Sequence, residues 1–223
     1  MNLQYGNETI EQVRKLKQAG IQSMIVFMRH SAREYNIKVP DEQNLLTDEG
    51  RDFAFQFGKA LPPGEYRLFS SLIERCVDTS NHIDKGLRER RSPTTTNQKI
   101  PGMEFFYNRD LKKVFEFIRQ AGGIPEFLRK WFDGQAPEDA IQDSNSASQV
   151  IMAALKNRLA LAKENTIDIC VSHDWNLYLV KEKYMDLPHE VNDKVEYLDG
   201  LFLYQNDGRS FITNHQTDPV EIR

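Results

Sequence analysis

The chain has 223 residues, 39% of them hydrophobic, with 29 Lys and Arg against 33 Asp and Glu for a net charge of −4. That length suits an α/β domain with one core and some elaboration, and the negative charge offers no basic footprint for nucleic acid or an anionic membrane. Its apolar stretches fall far short of the roughly 20 residues of a membrane helix, and residues 1–22 lack a signal peptide's apolar core, so a cytoplasmic, membrane-free protein is expected.

Residues 1–22 mix Glu11, Arg14, Lys15 and Lys17 with Ile10, Val13 and Leu16, the pattern of a short amphipathic helix. Ser23 to Met28 is a short apolar run and reads as a buried strand ending at Arg29-His30. Beyond a polar loop through Pro40, Thr47-Asp48-Glu49 supplies an N-cap and an acidic first turn for a helix carrying Phe53, Phe57 and Leu61, which Pro62-Pro63-Gly64 ends. Tyr66 to Phe69 reads as a second strand. Ser71-Leu72-Ile73-Glu74 then has the form of a capping box, opening a helix with Leu72, Cys76, Ile83 and Leu87 on one face and Arg75 in its first turns.

From about residue 88 to 145 the pattern loosens into a lid-like helical insertion. Arg88 to Thr96 is a charged loop, Met103 to Tyr107 has strand character, and Leu111 to Gln120 and Pro125 to Phe132 are helical. A longer helix bearing Ile151, Leu155, Leu159 and Ala162 leads into a β-branched run, Ile167 to Val171, which ends at His173-Asp174. At the C-terminus Asp207-Gly208, between Leu201–Tyr204 and Ser210–Ile212, marks a two-residue hairpin. Strands alternating with helices imply a layered α/β architecture with a mainly parallel sheet.

In such a sheet, ligands bind in the crevice beyond the carboxyl ends of the strands. The two apolar runs deliver His30 and His173 there, with Arg29 and Arg33 beside the first and Arg75 just past the end of another strand. Guanidinium forks match phosphate oxygens in bidentate fashion, and a neutral imidazole is a competent nucleophile near neutral pH. The set therefore points to phosphoryl transfer without a metal: His30 attacks, His173 donates to an equatorial oxygen, Asp174 protonates the leaving group, and Arg29, Arg33 and Arg75 hold the phosphate. Asp110 is a reserve acid, and Glu34 reads as the orienting partner of Arg33. The run Arg88 to Arg91 reads as a solvated loop, with contact to a second substrate anion, by it or by Arg109, Lys112 and Lys113, as the alternative. Cys76 and Cys170 sit in apolar patterns without metal-ligand spacing and read as reduced core residues, and neither heads the anion loop of a thiol-dependent phosphatase. His82, His189 and His215 read as structural or surface residues.

Together these segments resemble the histidine phosphatase superfamily of phosphoglycerate mutase-like enzymes and histidine acid phosphatases. Arg29-His30-Ser31-Ala32-Arg33 is similar to the Arg-His-Gly-x-Arg motif of the acid phosphatase branch, and His173-Asp174 to that branch's His-Asp pair. Leu46 to Arg51 resembles the superfamily's Leu-Thr-x-x-Gly helix start, and Ser70 to Thr79 its Ser-x-x-x-Arg-x-x-x-Thr segment. Ser31 stands where the family has glycine, and Tyr35 where the acid phosphatase branch has proline. The resemblance implies a three-layer phosphoglycerate mutase-like domain over residues 1–223 and a phosphatase acting on a small phosphomonoester through a phosphohistidine on His30. It also implies Asp174 as proton donor, Arg75 as third phosphate arginine, and no cofactor or metal. A phosphomutase using the same site and a catalytically silent phosphate-binding module are the alternatives. Oligomeric state is not legible.

Overall fold

Residues 3–36, 38–190 and 194–222 are described in the computed structural model. Successive side chains leave a strand on opposite sides, and this alternation divides the interior in two. From β1 (Met24–Arg29), Met24, Val26 and Met28 enter one core while Ile25 and Phe27 enter the other. The first core is closed by α1 (Asn7–Gln18), α2 (Asp48–Ala60) and α3 (Glu74–Glu89), through Val13, Phe57, Ile83 and Leu87. Against the second pack α4 (Leu111–Ala121), α5 (Ile124–Phe132), α6 (Ser144–Ala160) and α7 (Asp174–Tyr184). The result is the expected three-layer α/β/α arrangement.

Between the layers, the described residues form one seven-stranded sheet in the order β3-β2-β4-β1-β5-β6-β7. Its parallel half comprises β1, β2 (Glu65–Ser70), β3 (Gln98–Lys99) and β4 (Thr166–Ser172); β5 (Gly200–Asn206), β6 (Arg209–Asn214) and β7 (Thr217–Glu221) continue it antiparallel. The register sets up the site. Arg29 of β1 lies opposite Ser172 of β4, and Ser70 of β2 opposite Val171, so His30, Ser71 and His173 leave neighbouring strands at one carboxyl edge. The Asp207-Gly208 turn has φ angles of 50° and 74°, the left-handed pair that a two-residue hairpin requires.

Several local expectations need correction. Helix α3 begins at Glu74 rather than at Ser71, and the Ser71 hydroxyl accepts from Ile73 N at 3.2 Å, so the capping box does not form and Leu72 is exposed. Met103 to Tyr107 is a run of turns and bends rather than a strand: Asn108 N donates back to Phe105 O at 3.1 Å, a local turn bond in place of a ladder partner, while Met103 and Tyr107 are buried and Phe105 faces a histidine. Helix α6 stops at Ala160, leaving Ala162 outside it, and the short edge strands β3 and β7 are additions to the sequence reading. No helix among the described residues is long and apolar enough to cross a membrane.

Near the opposite end of the parallel strands, a charged cluster is buried against the sheet. Arg67 Nε and Nη2 each lie 2.6 Å from the fully buried Asp168 carboxylate, while Arg158 Nε sits 3.1 Å away without hydrogen-bond alignment. Removing one member of such a group leaves buried charge uncompensated, at a cost of about 3–5 kcal/mol. Asp168→Ala should therefore lower the free energy of denaturant unfolding by about that amount. A loss below about 1 kcal/mol would show that the cluster is dispensable to the fold.

Candidate active site

The loop after β1 is built against two helix starts. Thr47 caps α2 by accepting from Gly50 N at 2.9 Å, and Gly50 touches the loop so closely that a Cβ there would sit 2.0 Å from Ala32 O. Only glycine permits that approach. Ser31 is buried, with its Oγ donating to Gly50 O at 2.7 Å, while its backbone N donates to Thr79 Oγ1 at 3.1 Å. Thr79 in turn donates to Arg75 O at 2.7 Å. The motif residues Thr47, Gly50 and Thr79 thus act as braces for the loop that carries His30, and the Ser31 hydroxyl is engaged by the same brace.

Both site histidines are buried, with ring centroids 5.5 Å apart. A carbonyl only accepts and a guanidinium only donates, so the partners assign the tautomers. His30 Nδ1–H donates to Ser31 O at 2.7 Å, which leaves Nε2 as an acceptor, and Arg75 Nε donates to it at 3.1 Å. His173 Nδ1 faces Arg75 Nη2 at 3.4 Å, so its proton belongs on Nε2, 3.1 Å from Ser71 Oγ. Burial holds the pKa of both rings well below the ordinary histidine value, and nearby charge adds to this: His173, Arg75 and Arg29 for His30, and Arg75, Arg33 and Arg29 for His173. Both rings are neutral at neutral pH.

Three arginines surround this pair, and two carboxylates balance them. Arg29 Nη2 meets Asp174 Oδ2 at 2.9 Å and Nη1 donates to Val195 O at 2.8 Å, while its buried Nε has no acceptor among the described residues. Arg33 Nη2 and Arg75 Nη2 converge on one carboxylate, that of Asp41, at 2.7 and 2.8 Å. Asp41 is therefore the carboxylate partner of Arg33, and Glu34 contributes its backbone carbonyl at 3.0 Å. Asp174 opens α7, its Oδ1 accepting from Trp175 N at 2.9 Å.

Other residues escaped the sequence reading. Phe105 lies against His173 with ring centroids 4.2 Å apart, and Tyr197 and Tyr35 stack over Arg29 and Arg33 at 4.3 and 4.1 Å. Their hydroxyls meet at 3.2 Å. The remaining candidates have local partners: Asp110 caps α4 through Lys112 N and Lys113 N, Lys113 pairs with Asp139, Arg88 with Asp84, and Arg109 with Glu138 O. Cys76 and Cys170 are free and buried, and burial pushes the Cys76 thiol up to about 12, so neither behaves as a thiolate. Elsewhere Glu182, His189 and Glu190 lie close enough together to chelate a cation, but Arg129 already bonds both carboxylates.

The chain has the fold of phosphoglycerate mutase-like proteins. YhfR of Bacillus stearothermophilus superposes with a TM-score of 0.62 at 15% identity, covering 86% of this chain and 96% of that one. Phosphoglycerate mutase of Bacillus anthracis gives 0.60 at 17% identity over 86% and 92%, and the mycobacterial glucosyl-3-phosphoglycerate phosphatase 0.57 at 14% over 81% and 89%. No family model and no curated protein matches the sequence.

Proposed function

We propose that this protein is a phosphatase that hydrolyses a small phosphomonoester through a phosphohistidine on His30. One observation carries the reading: a buried imidazole whose Nδ1–H is committed to a backbone carbonyl, so that Nε2 keeps its lone pair in the midst of Arg29, Arg33 and Arg75. The phosphatases and mutases that share the fold support the same class of chemistry.

In the first step the His30 Nε2 lone pair attacks phosphorus and the bond from phosphorus to the leaving oxygen breaks. Asp174, which must enter this step in its acid form, gives that oxygen its proton. In the second step water attacks phosphorus, the phosphorus–nitrogen bond breaks with its electron pair returning to His30 Nε2, Asp174 takes the water's proton, and inorganic phosphate is released. The arginines balance the charge on the equatorial oxygens, and His173 Nε2–H turns from Ser71 to one of them. Arg29 Nε, a buried donor without an acceptor among the described residues, fits a phosphate oxygen, since leaving such a group unpaired costs about 1–3 kcal/mol.

The test is release of orthophosphate from p-nitrophenyl phosphate, undiminished by exhaustive chelation. Arg75→Ala should lower turnover by about 10²- to 10³-fold, as loss of one preorganised donor does elsewhere. Arg75→Lys should recover little, because a point charge cannot reproduce the fork. If Arg75→Ala raises KM and leaves kcat intact, Arg75 acts only in ground-state binding. Absence of orthophosphate with every phosphomonoester tried, from a protein that binds phosphate, would remove the phosphatase reading.

A further inference from the structure

Asp41 begins a short 3-10 turn, Asp41–Gln43, and the reaction just described does not use it. Its side chain is 42% exposed, whereas that of Arg75, its partner, is only 1% exposed, so the carboxylate reaches from the mouth of the site onto a buried cation. Oδ1 meets Arg33 Nη2 at 2.7 Å, Oδ2 meets Arg75 Nη2 at 2.8 Å, and the Asp41 backbone carbonyl accepts from Arg75 Nη1 at 2.7 Å. Arg75 then spends its Nε–H on His30 Nε2 at 3.1 Å. The lone pair assigned to attack on phosphorus is covered by Arg75, and Arg75 is held there by Asp41.

Carboxylate and phosphate engage guanidinium forks through the same kind of bidentate, charge-assisted contact. They cannot both hold the same N–H groups of Arg33 and Arg75. We propose that Asp41 is a specificity-determining residue: an internal anion that an incoming phosphomonoester displaces from Arg33 and Arg75, drawing Arg75 away from His30 Nε2 and uncovering the nucleophile. A ligand with one delocalised charge, such as a phosphodiester or a carboxylate, has no advantage over a carboxylate already tethered in place. A dianionic phosphate terminus brings a second charge and a third terminal oxygen. The site should therefore open to dianionic monoesters at concentrations where a monoanion still leaves the chain's own carboxylate in place. The inference rests on the phosphatase reading for its substrate, but its test does not require turnover.

Calorimetric titration with inorganic phosphate and with dimethyl phosphate, on wild type, Asp41→Asn and Glu42→Gln, decides the matter. Glu42 is the adjacent exposed acid, so its variant removes the same charge without touching the arginine pair. Asp41→Asn should bind phosphate about tenfold or more tightly than wild type, the scale of a lost competing charge-assisted bond, and dimethyl phosphate, which needs the same N–H groups, should gain as well. Glu42→Gln should stay within about twofold, as for a screened surface charge. Phosphate binding to Asp41→Asn no tighter than to Glu42→Gln would overturn the proposal. A readout on wild type is independent of any variant: at saturating phosphate the ¹⁵N shift of His30 Nε2 should move as Arg75 leaves it, and an unchanged shift contradicts the displacement. Failure of the phosphatase reading alone would show differently, as tight phosphate binding governed by Asp41 without hydrolysis of any monoester.

Discussion

His30→Ala should abolish turnover, on the scale of the roughly 10⁶-fold loss that follows removal of the nucleophile from a covalent enzyme. The expectation follows from the division of labour at this edge of the sheet: arginines and His173 stabilise charge, but Nε2 of His30 is the atom assigned to form the covalent bond. Because His30 is buried and braced, loss of activity must be separated from loss of fold. The variant should still bind inorganic phosphate, since Arg29, Arg33 and Arg75 remain, and added imidazole should restore a measurable part of the rate by entering the space the ring vacates. Near-wild-type turnover in a folded His30→Ala protein would assign the attack to water or another group.

Asp174→Asn should separate substrates by leaving group. An alkyl alkoxide departs only with a proton, whereas p-nitrophenolate, with a conjugate-acid pKa near ~7, needs little help, and general acid catalysis is typically worth about 10²- to 10⁴-fold. The variant should therefore lose most of its activity on an alkyl phosphate while forming the phosphoenzyme from p-nitrophenyl phosphate at close to the normal rate. Since the same carboxylate assists the attacking water, aryl substrate should give a burst followed by slow release. Asn keeps an oxygen that can accept from Arg29, so the neighbouring guanidinium stays in place. Equal losses on both leaving groups in the burst phase would remove the acid role, and with Asp110 engaged as the cap of α4, Glu34 becomes the next candidate.

Where local chemistry decides structure, the sequence was easy to read. The β-branched runs around Val26 and Ile169, the Thr47 cap and the Asp207-Gly208 turn all carry their signals within a few residues, and each appears where expected. Failures occurred where a side chain has a distant partner. Ser71 has the spacing of a helix cap, yet its hydroxyl also faces His173, which lies 102 positions away. Phe105 gives Met103 to Tyr107 a strand-like composition, but it serves as a wall against that same ring. Strand β3 is two exposed residues with no apolar alternation to mark it.

The candidate site shows the same divide. Its histidines and arginines stand in motifs at strand ends and were named from those positions, whereas Asp41 lies in a polar loop with no periodicity. A charge argument could have found it. Three arginines brought to a buried edge need counter-charge, and the loop between Arg33 and Thr47 holds few acids to supply it: Glu34, Asp41 and Glu42. Sequence order alone favoured the neighbour, Glu34, but the fold selects Asp41, which can reach Arg33 and Arg75 together.

The most direct test of the covalent route is to trap the phosphoenzyme. Wild-type protein mixed with ³²P-labelled phosphomonoester, quenched in base within the first turnover and digested, should yield label that is stable to alkali, labile to acid and confined to the peptide containing His30. Label on any other residue, or none at a time when a stoichiometric burst of the leaving alcohol has been released, would contradict a phosphohistidine at His30.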